Sequence, residues 1–182
     1  VQGELHQLSR KGATDLSEEE YMQIIQNKTA ALIQGACRSG AIIADAPKEQ
    51  EQAMADYGLN VGLAFQMADD LLDYTSDSLE LGKTIGADLR EGKLTLPLIY
   101  TLTKADARDT AIIEKIVADE HFSEKDWQVL NGLLDKYGGI KYTEKRAATH
   151  IETAKAALDA FPDSDTKTLL ALLADYTISR ET

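Results

Sequence analysis

Phe65-Gln66-Met67-Ala68-Asp69-Asp70-Leu71-Leu72-Asp73 places three carboxylates in a segment that is otherwise nearly all apolar. From Gly58 to Gly82 the chain carries five acids, Asp69, Asp70, Asp73, Asp77 and Glu80, and no Lys or Arg. Buried acids without a partner are costly, so a metal ion, protonation or residues elsewhere in the fold must balance them. At about 100° per residue, with Gln66 at zero, Asp69, Asp73 and Asp70 fall at roughly −60°, −20° and +40°. The four polar side chains therefore share one narrow face of a helix, ringed by Leu63, Ala64, Phe65, Met67, Ala68, Leu71 and Leu72. Asp69 and Asp73 lie one turn apart, roughly 6 Å between Cβ atoms, which suits two oxygen ligands on a hard cation. Magnesium is the expected ion, because it is held by one or two carboxylates plus substrate phosphates and keeps several waters. An acidic face turned to solvent has the same spacing.

Around this stretch the chain reads as one all-α domain. Among its 182 residues are only three prolines, and Ala, Leu, Ile, Glu and Lys are abundant. No segment alternates as a strand does. Ser17-Glu18-Glu19-Glu20 is a capping box opening an apolar-periodic run to about Ala44. Pro47 begins the next helix, which runs to about Tyr74, and a loop rich in Asp, Gly and Ser follows from Thr75 to Gly92, with room for a short helical turn. Further helices are expected from Thr95 or Leu96 to about Thr103, from Asp106 to about Asp119, and from Ser123 to about Tyr137. Gly138-Gly139 breaks the last of these, and two more cover about 140–160 and 163–179.

The net charge of −12 excludes a basic footprint for nucleic acid or an anionic membrane surface. A single cysteine, Cys37, forms no internal disulfide, and no apolar run reaches the ~18 residues of a membrane span, so a cytoplasmic location is expected. Val1-Gln2-Gly3-Glu4-Leu5 reads as the interior of something already under way, a fragment or a processed chain.

Two lysine sites complete the pattern. Lys28 is the only charged residue between Glu20 and Arg38, so its ammonium either snorkels to the surface or meets an anion inside, with Thr29 beside it. Gly82-Lys83-Thr84-Ile85-Gly86-Ala87-Asp88-Leu89-Arg90-Glu91-Gly92-Lys93 offers glycines for close approach to a ligand, and Lys83 and Lys93 as point charges for phosphate. It is not a P-loop, since the leading glycine and the preceding strand are missing.

Together, Gly62-x-x-Phe65-Gln66-x-x-Asp69-Asp70-x-x-Asp73 and Gly82-Lys83-x-x-Gly86-x-Asp88-Leu89-x-x-Gly92-Lys93-x-Thr95-Leu96-Pro97 closely resemble the second aspartate-rich region of trans-isoprenyl diphosphate synthases. Gly3-Glu4, Lys28-Thr29-Ala30 and Leu173-Ala174-Asp175-Tyr176 extend the resemblance over the entire chain. Its flavour is medium- to long-chain, octaprenyl- or decaprenyl-like, as in enzymes making quinone side chains. The resemblance implies an isoprenoid-synthase helical bundle and a head-to-tail condensation. There an allylic diphosphate ionises, and isopentenyl diphosphate attacks the resulting carbocation and then loses a proton. It also implies that Asp69 ligates a magnesium ion on the allylic diphosphate, with Asp70 and Asp73 on the ion or just behind it. Lys28, Lys83 and Lys93 would neutralise the departing diphosphate, while Thr29 and Gln66 would lie near the cation, so that Lys28, Thr29 and Gln66 are the implied catalytic residues.

The chain departs from that pattern in having one aspartate-rich motif where such enzymes carry two. The basic residues that hold isopentenyl diphosphate and the helix that sets product length are also missing. Residues 1–182 therefore read as the C-terminal half of the fold, inactive alone, needing the missing N-terminal half or a partner subunit and joining a homodimer or heteromer. A half-fold leaves an apolar face exposed, and any membrane association is expected to come through the product. Two other readings are a non-catalytic subunit of a heteromeric synthase, and a terpene cyclase, against which the Gly-Lys loop and the absent Asn-Ser-Glu metal motif argue.

Overall fold

α4, Lys48–Thr75, is the axis of the molecule: 28 residues, about 42 Å long, with apolar or small side chains on most of its circumference. Ala53, Ala55, Tyr57, Val61, Leu63, Ala64, Met67 and Tyr74 are all buried along it, so neighbours must cover several of its sides. The computed structural model describes residues 2–75, 86–119 and 121–179. Among these residues every regular element is helical, as the composition predicts.

α1 spans Gln2–Ser9 and α2 Glu18–Ile25, followed by a π-helical turn at Gln26–Ala30 and by α3, Ala31–Ile43. After α4 come α5 (Ala87–Arg90), α6 (Leu96–Lys104), α7 (Ala107–Val117), α8 (Glu124–Tyr137), α9 (Gly139–Ala157) and α10 (Asp165–Ser179). The expected start signals operate. Ser17 Oγ accepts from the Glu20 amide while the Glu20 carboxylate accepts from the Ser17 amide, and Ser123 and Asp126 form a second such box. Asp106 caps α7, and Pro97 lies in the first turn of α6.

The structure differs from the sequence expectation in two places. α1 was not anticipated, because Gln2–Ser9 shows little amphipathic order. The run from Glu18 to Ile43 is not uniform α-helix, since the Ala31 amide bonds to Gln26 O, five residues back, which inserts one extra residue into that turn.

Close backbone packing holds the π turn. Gly62 of α4 passes so near Ala30 that a Cβ there would lie 2.6 Å from Ala30 Cα, and Gly3 of α1 presses the Lys28 backbone from another side. Only glycine permits these crossings. At the far end of the α3–α4 pair, buried Glu51 accepts from Arg38 at 2.8 Å and Lys48 at 2.6 Å, and those hydrogen bonds hold its carboxyl below the usual range.

α9 and α10 also pack on α4, with Tyr57 Oη donating to Leu170 O at 2.9 Å. Large apolar side chains remain exposed on α3 (Leu32, Ile43), α10 (Leu169, Leu172, Tyr176) and α1 (Leu5, Leu8). No described helix is long and apolar enough to cross a membrane.

Gly62→Ala must push α4 off the π turn, and we expect a loss of about 1–3 kcal/mol of stability. Gly132→Ala in α8 meets nothing within 4 Å and should instead stabilise by about 0.5–1 kcal/mol. Thermal unfolding of the two variants checks this, and equal midpoints would show that the α4 crossing is looser than described.

Candidate active site

The acidic stripe of α4 faces the π turn. Gln66 is nearly buried, and its Oε1 accepts from Thr29 Oγ1 at 2.7 Å. Its Nε2 donates to Asp70 Oδ1 at 2.9 Å and, at the longer distance of 3.4 Å, approaches Asp69 Oδ2. Asp70 lies inside the protein, where its other oxygen accepts from Tyr21 Oη of α2 at 2.6 Å. Desolvation pushes the Asp70 carboxyl up to about 7 although the bonds from Tyr21 and Gln66 oppose the shift. Burial, with Asp70 adjacent, raises the Tyr21 phenol as well.

The three aspartates therefore do not converge. Asp69 is exposed, Asp70 points inward, and Asp73 reaches sideways, where its two oxygens accept the amides of Ala87 at 2.9 Å and Asp88 at 3.1 Å. Asp73 thus clasps the start of α5 to the end of α4. Desolvation and neighbouring Asp88 raise its pKa, against those amide bonds and Lys93. Among the described residues no group of three His, Cys, Asp or Glu could hold a metal ion by themselves. The donor set fits a hard cation that takes one or two carboxylates, led by Asp69, and completes its shell with a bound anion and water.

The segment beyond α5 is docked firmly. Tyr74 stacks on Trp127 at 5.6 Å and shares a 2.9 Å hydrogen bond with Thr95. The Arg90 guanidinium covers the Phe122 ring at 4.0 Å. This places Lys93 near the stripe, where Asp88 Oδ1 accepts from it at 3.1 Å and Glu91 at 2.6 Å. Burial opposes the Lys93 charge, but these two acids outweigh it and raise its pKa. Lys83 lies outside the described residues.

Lys28 neither snorkels freely nor meets the α4 acids. Its ammonium donates to Gln7 Oε1 of α1 at 2.9 Å and stands 3.9 Å from Glu4 Oε2. The structure thus joins Thr29, Gln66, Asp69 and Asp70 in one network, sets Lys93 and Asp73 at its edge through α5, and holds Lys28 on α1. Sequence reasoning missed Tyr21 and Gln7. Tyr21, seven residues before Lys28 on an otherwise aliphatic helix face, was a usable signal, whereas Gln7 had none because α1 went unrecognised.

The chain is similar in sequence and fold to known proteins. Residues 1–136 fit the polyprenyl synthetase family model. The chain is 38% identical over 167 residues to the short chain isoprenyl diphosphate synthase of Methanothermobacter thermautotrophicus, covering 92% of this chain and 51% of that protein. It is 35% identical over 184 residues to the octaprenyl diphosphate synthase of Escherichia coli, covering 100% and 56%. It superposes with a TM-score of 0.91 and 40% identity on the polyprenyl synthase of Caulobacter crescentus, crystallised with calcium and isoprenyl diphosphate, over 100% of this chain and 55% of that one. The chain spans about half the length of the relatives it matches. By fold, by motif and by the match of most of its length, this chain belongs to the polyprenyl synthetase family.

Proposed function

We propose that residues 1–182 form one all-α domain providing one wall of a polyprenyl diphosphate synthase site for head-to-tail condensation of isopentenyl diphosphate with an allylic diphosphate. The single observation that carries this reading is the meeting of Thr29 with Gln66 at 2.7 Å, which sets two oxygen-bearing side chains beside the exposed carboxylate of Asp69. The names of the relatives and the calcium and isoprenyl diphosphate of the Caulobacter protein support the substrate class.

In this reading Asp69, backed by Asp70 and Asp73, holds magnesium, which supplies positive charge to the allylic diphosphate. Lys28, Lys83 and Lys93 bind the leaving diphosphate as it gains negative charge. The Gln66 carbonyl and the Thr29 hydroxyl turn oxygen lone pairs toward the allylic carbon as it becomes positive. Asp73 keeps α5, and with it Lys93, against the end of α4. The opposing wall comes from the missing N-terminal half or a partner subunit, in a homodimer or heteromer. The exposed apolar residues of α1, α3 and α10 support such a cover. The product serves a quinone-type pathway, and the chain works in the cytoplasm, touching membranes through that product.

The isolated chain should yield no elongated product from farnesyl diphosphate and isopentenyl diphosphate with excess magnesium, while adding the missing half should restore it. In the restored enzyme Asp69→Ala should lower the rate by orders of magnitude, and near-normal turnover would defeat the metal assignment. Asp73→Ala should leave the Ala87 and Asp88 amides unpaired, so hydrogen exchange across 86–90 should accelerate. Unchanged exchange there would mean that the Tyr74–Trp127 stack alone holds α5.

A further inference from the structure

Tyr21 belongs to none of the motifs that carry the family resemblance, yet it is 3% exposed and its hydroxyl donates to Asp70. Four side chains form a single line of hydrogen bonds from α2 through α4 to the π turn: Tyr21 Oη to Asp70 Oδ2 at 2.6 Å, Gln66 Nε2 to Asp70 Oδ1 at 2.9 Å, and Thr29 Oγ1 to Gln66 Oε1 at 2.7 Å. The direction of each bond follows from the one before. Asp70 accepts on both oxygens, from the Tyr21 phenol on one and from the NH2 end of the Gln66 amide on the other. The Gln66 carbonyl must then face Thr29, whose single hydroxyl hydrogen it takes. Rotated by half a turn, the amide would set its oxygen against Asp69 and Asp70, oxygen against oxygen.

We propose that Tyr21 is a positioning residue for the condensation: acting through Asp70, it fixes the orientation of the Gln66 amide and hence the lone pairs that Gln66 and Thr29 present to the developing allylic cation. This rests on the functional reading above and extends it to a residue that touches no substrate. Without the phenol hydrogen, Asp70 is free to turn, and the Gln66 amide loses the partner that selects its orientation. A purely structural Tyr21, tying α2 to α4, would affect folding and leave the chemical step alone.

The test uses the active assembly of this chain with its completing half, carrying Tyr21→Phe, Gln66→Ala, or both. Tyr21→Phe should lower kcat about tenfold while KM for each diphosphate stays within about twofold. The double variant should be no slower than Gln66→Ala alone, because Tyr21 acts only through that amide. An unchanged kcat in Tyr21→Phe, or losses that multiply in the double variant, would overturn the proposal. If Tyr21→Phe does not fold, 4-fluorophenylalanine at position 21 decides. It keeps the ring and fills the space of the hydroxyl but gives Asp70 no hydrogen, so kcat should fall with the unfolding midpoint retained, and a normal kcat overturns the inference. Asp69→Ala in the same assembly separates the two levels. Full activity there removes the functional reading itself, whereas a dead Asp69→Ala beside a normal Tyr21→Phe removes only the role given to Tyr21.

Discussion

A carboxylate inside a protein is tolerable only when its oxygens are hydrogen-bonded, and Asp70 imposes that condition on the whole molecule. Its donors come from different helices, Tyr21 from α2 and Gln66 from α4, so neither helix can slide or rotate without stripping one oxygen. Gln66, once committed to Asp70, has only its carbonyl left for Thr29. The orientation of the Gln66 amide is therefore inherited from a carboxyl group in the core.

The second constraint is distance between backbones. For Thr29 to reach Gln66, α4 must run almost against the π turn, and Gly62 allows it by having no side chain where Ala30 passes. Gly3 does the same for α1 at Lys28. The π turn is squeezed between two glycines, and its extra residue alters which side chains share a face. Packing precedes chemistry here. Lys28 and Thr29 are adjacent in sequence but serve different neighbours, α1 and α4, because the turn between them is wide.

Local rules were readable from the sequence wherever the physics is local. Ser17, Asp106 and Ser123 begin helices because their oxygens reach amides two or three residues on, and Pro97 fits a first turn for the same short-range reason. The helical wheel correctly put Gln66, Asp69, Asp70 and Asp73 on one side of α4. It does not say what each carboxylate bonds to, because donors to Asp70 and Asp73 stand 49 and 14–15 residues away. The π turn was invisible for a related reason: nothing in Gln26-Asn27-Lys28-Thr29-Ala30 forbids an ordinary α-turn, and the choice is made by glycines at positions 3 and 62.

The described lysines of the candidate site are held by partners within the protein. Lys93 is held by Asp88 and Glu91, and Lys28 by Gln7 with Glu4 beyond it, so neither ammonium waits alone. These side chains are partly exposed, and ion pairs in such settings contribute only about 0–1 kcal/mol each. Under the proposed function, a diphosphate bearing several charges, with a cation on Asp69, would outcompete pairs of that strength. The internal partners thus fix where each ammonium sits, and under that reading the acids crowding the site, which first look like a burden on anion binding, are placeholders that the anion would displace.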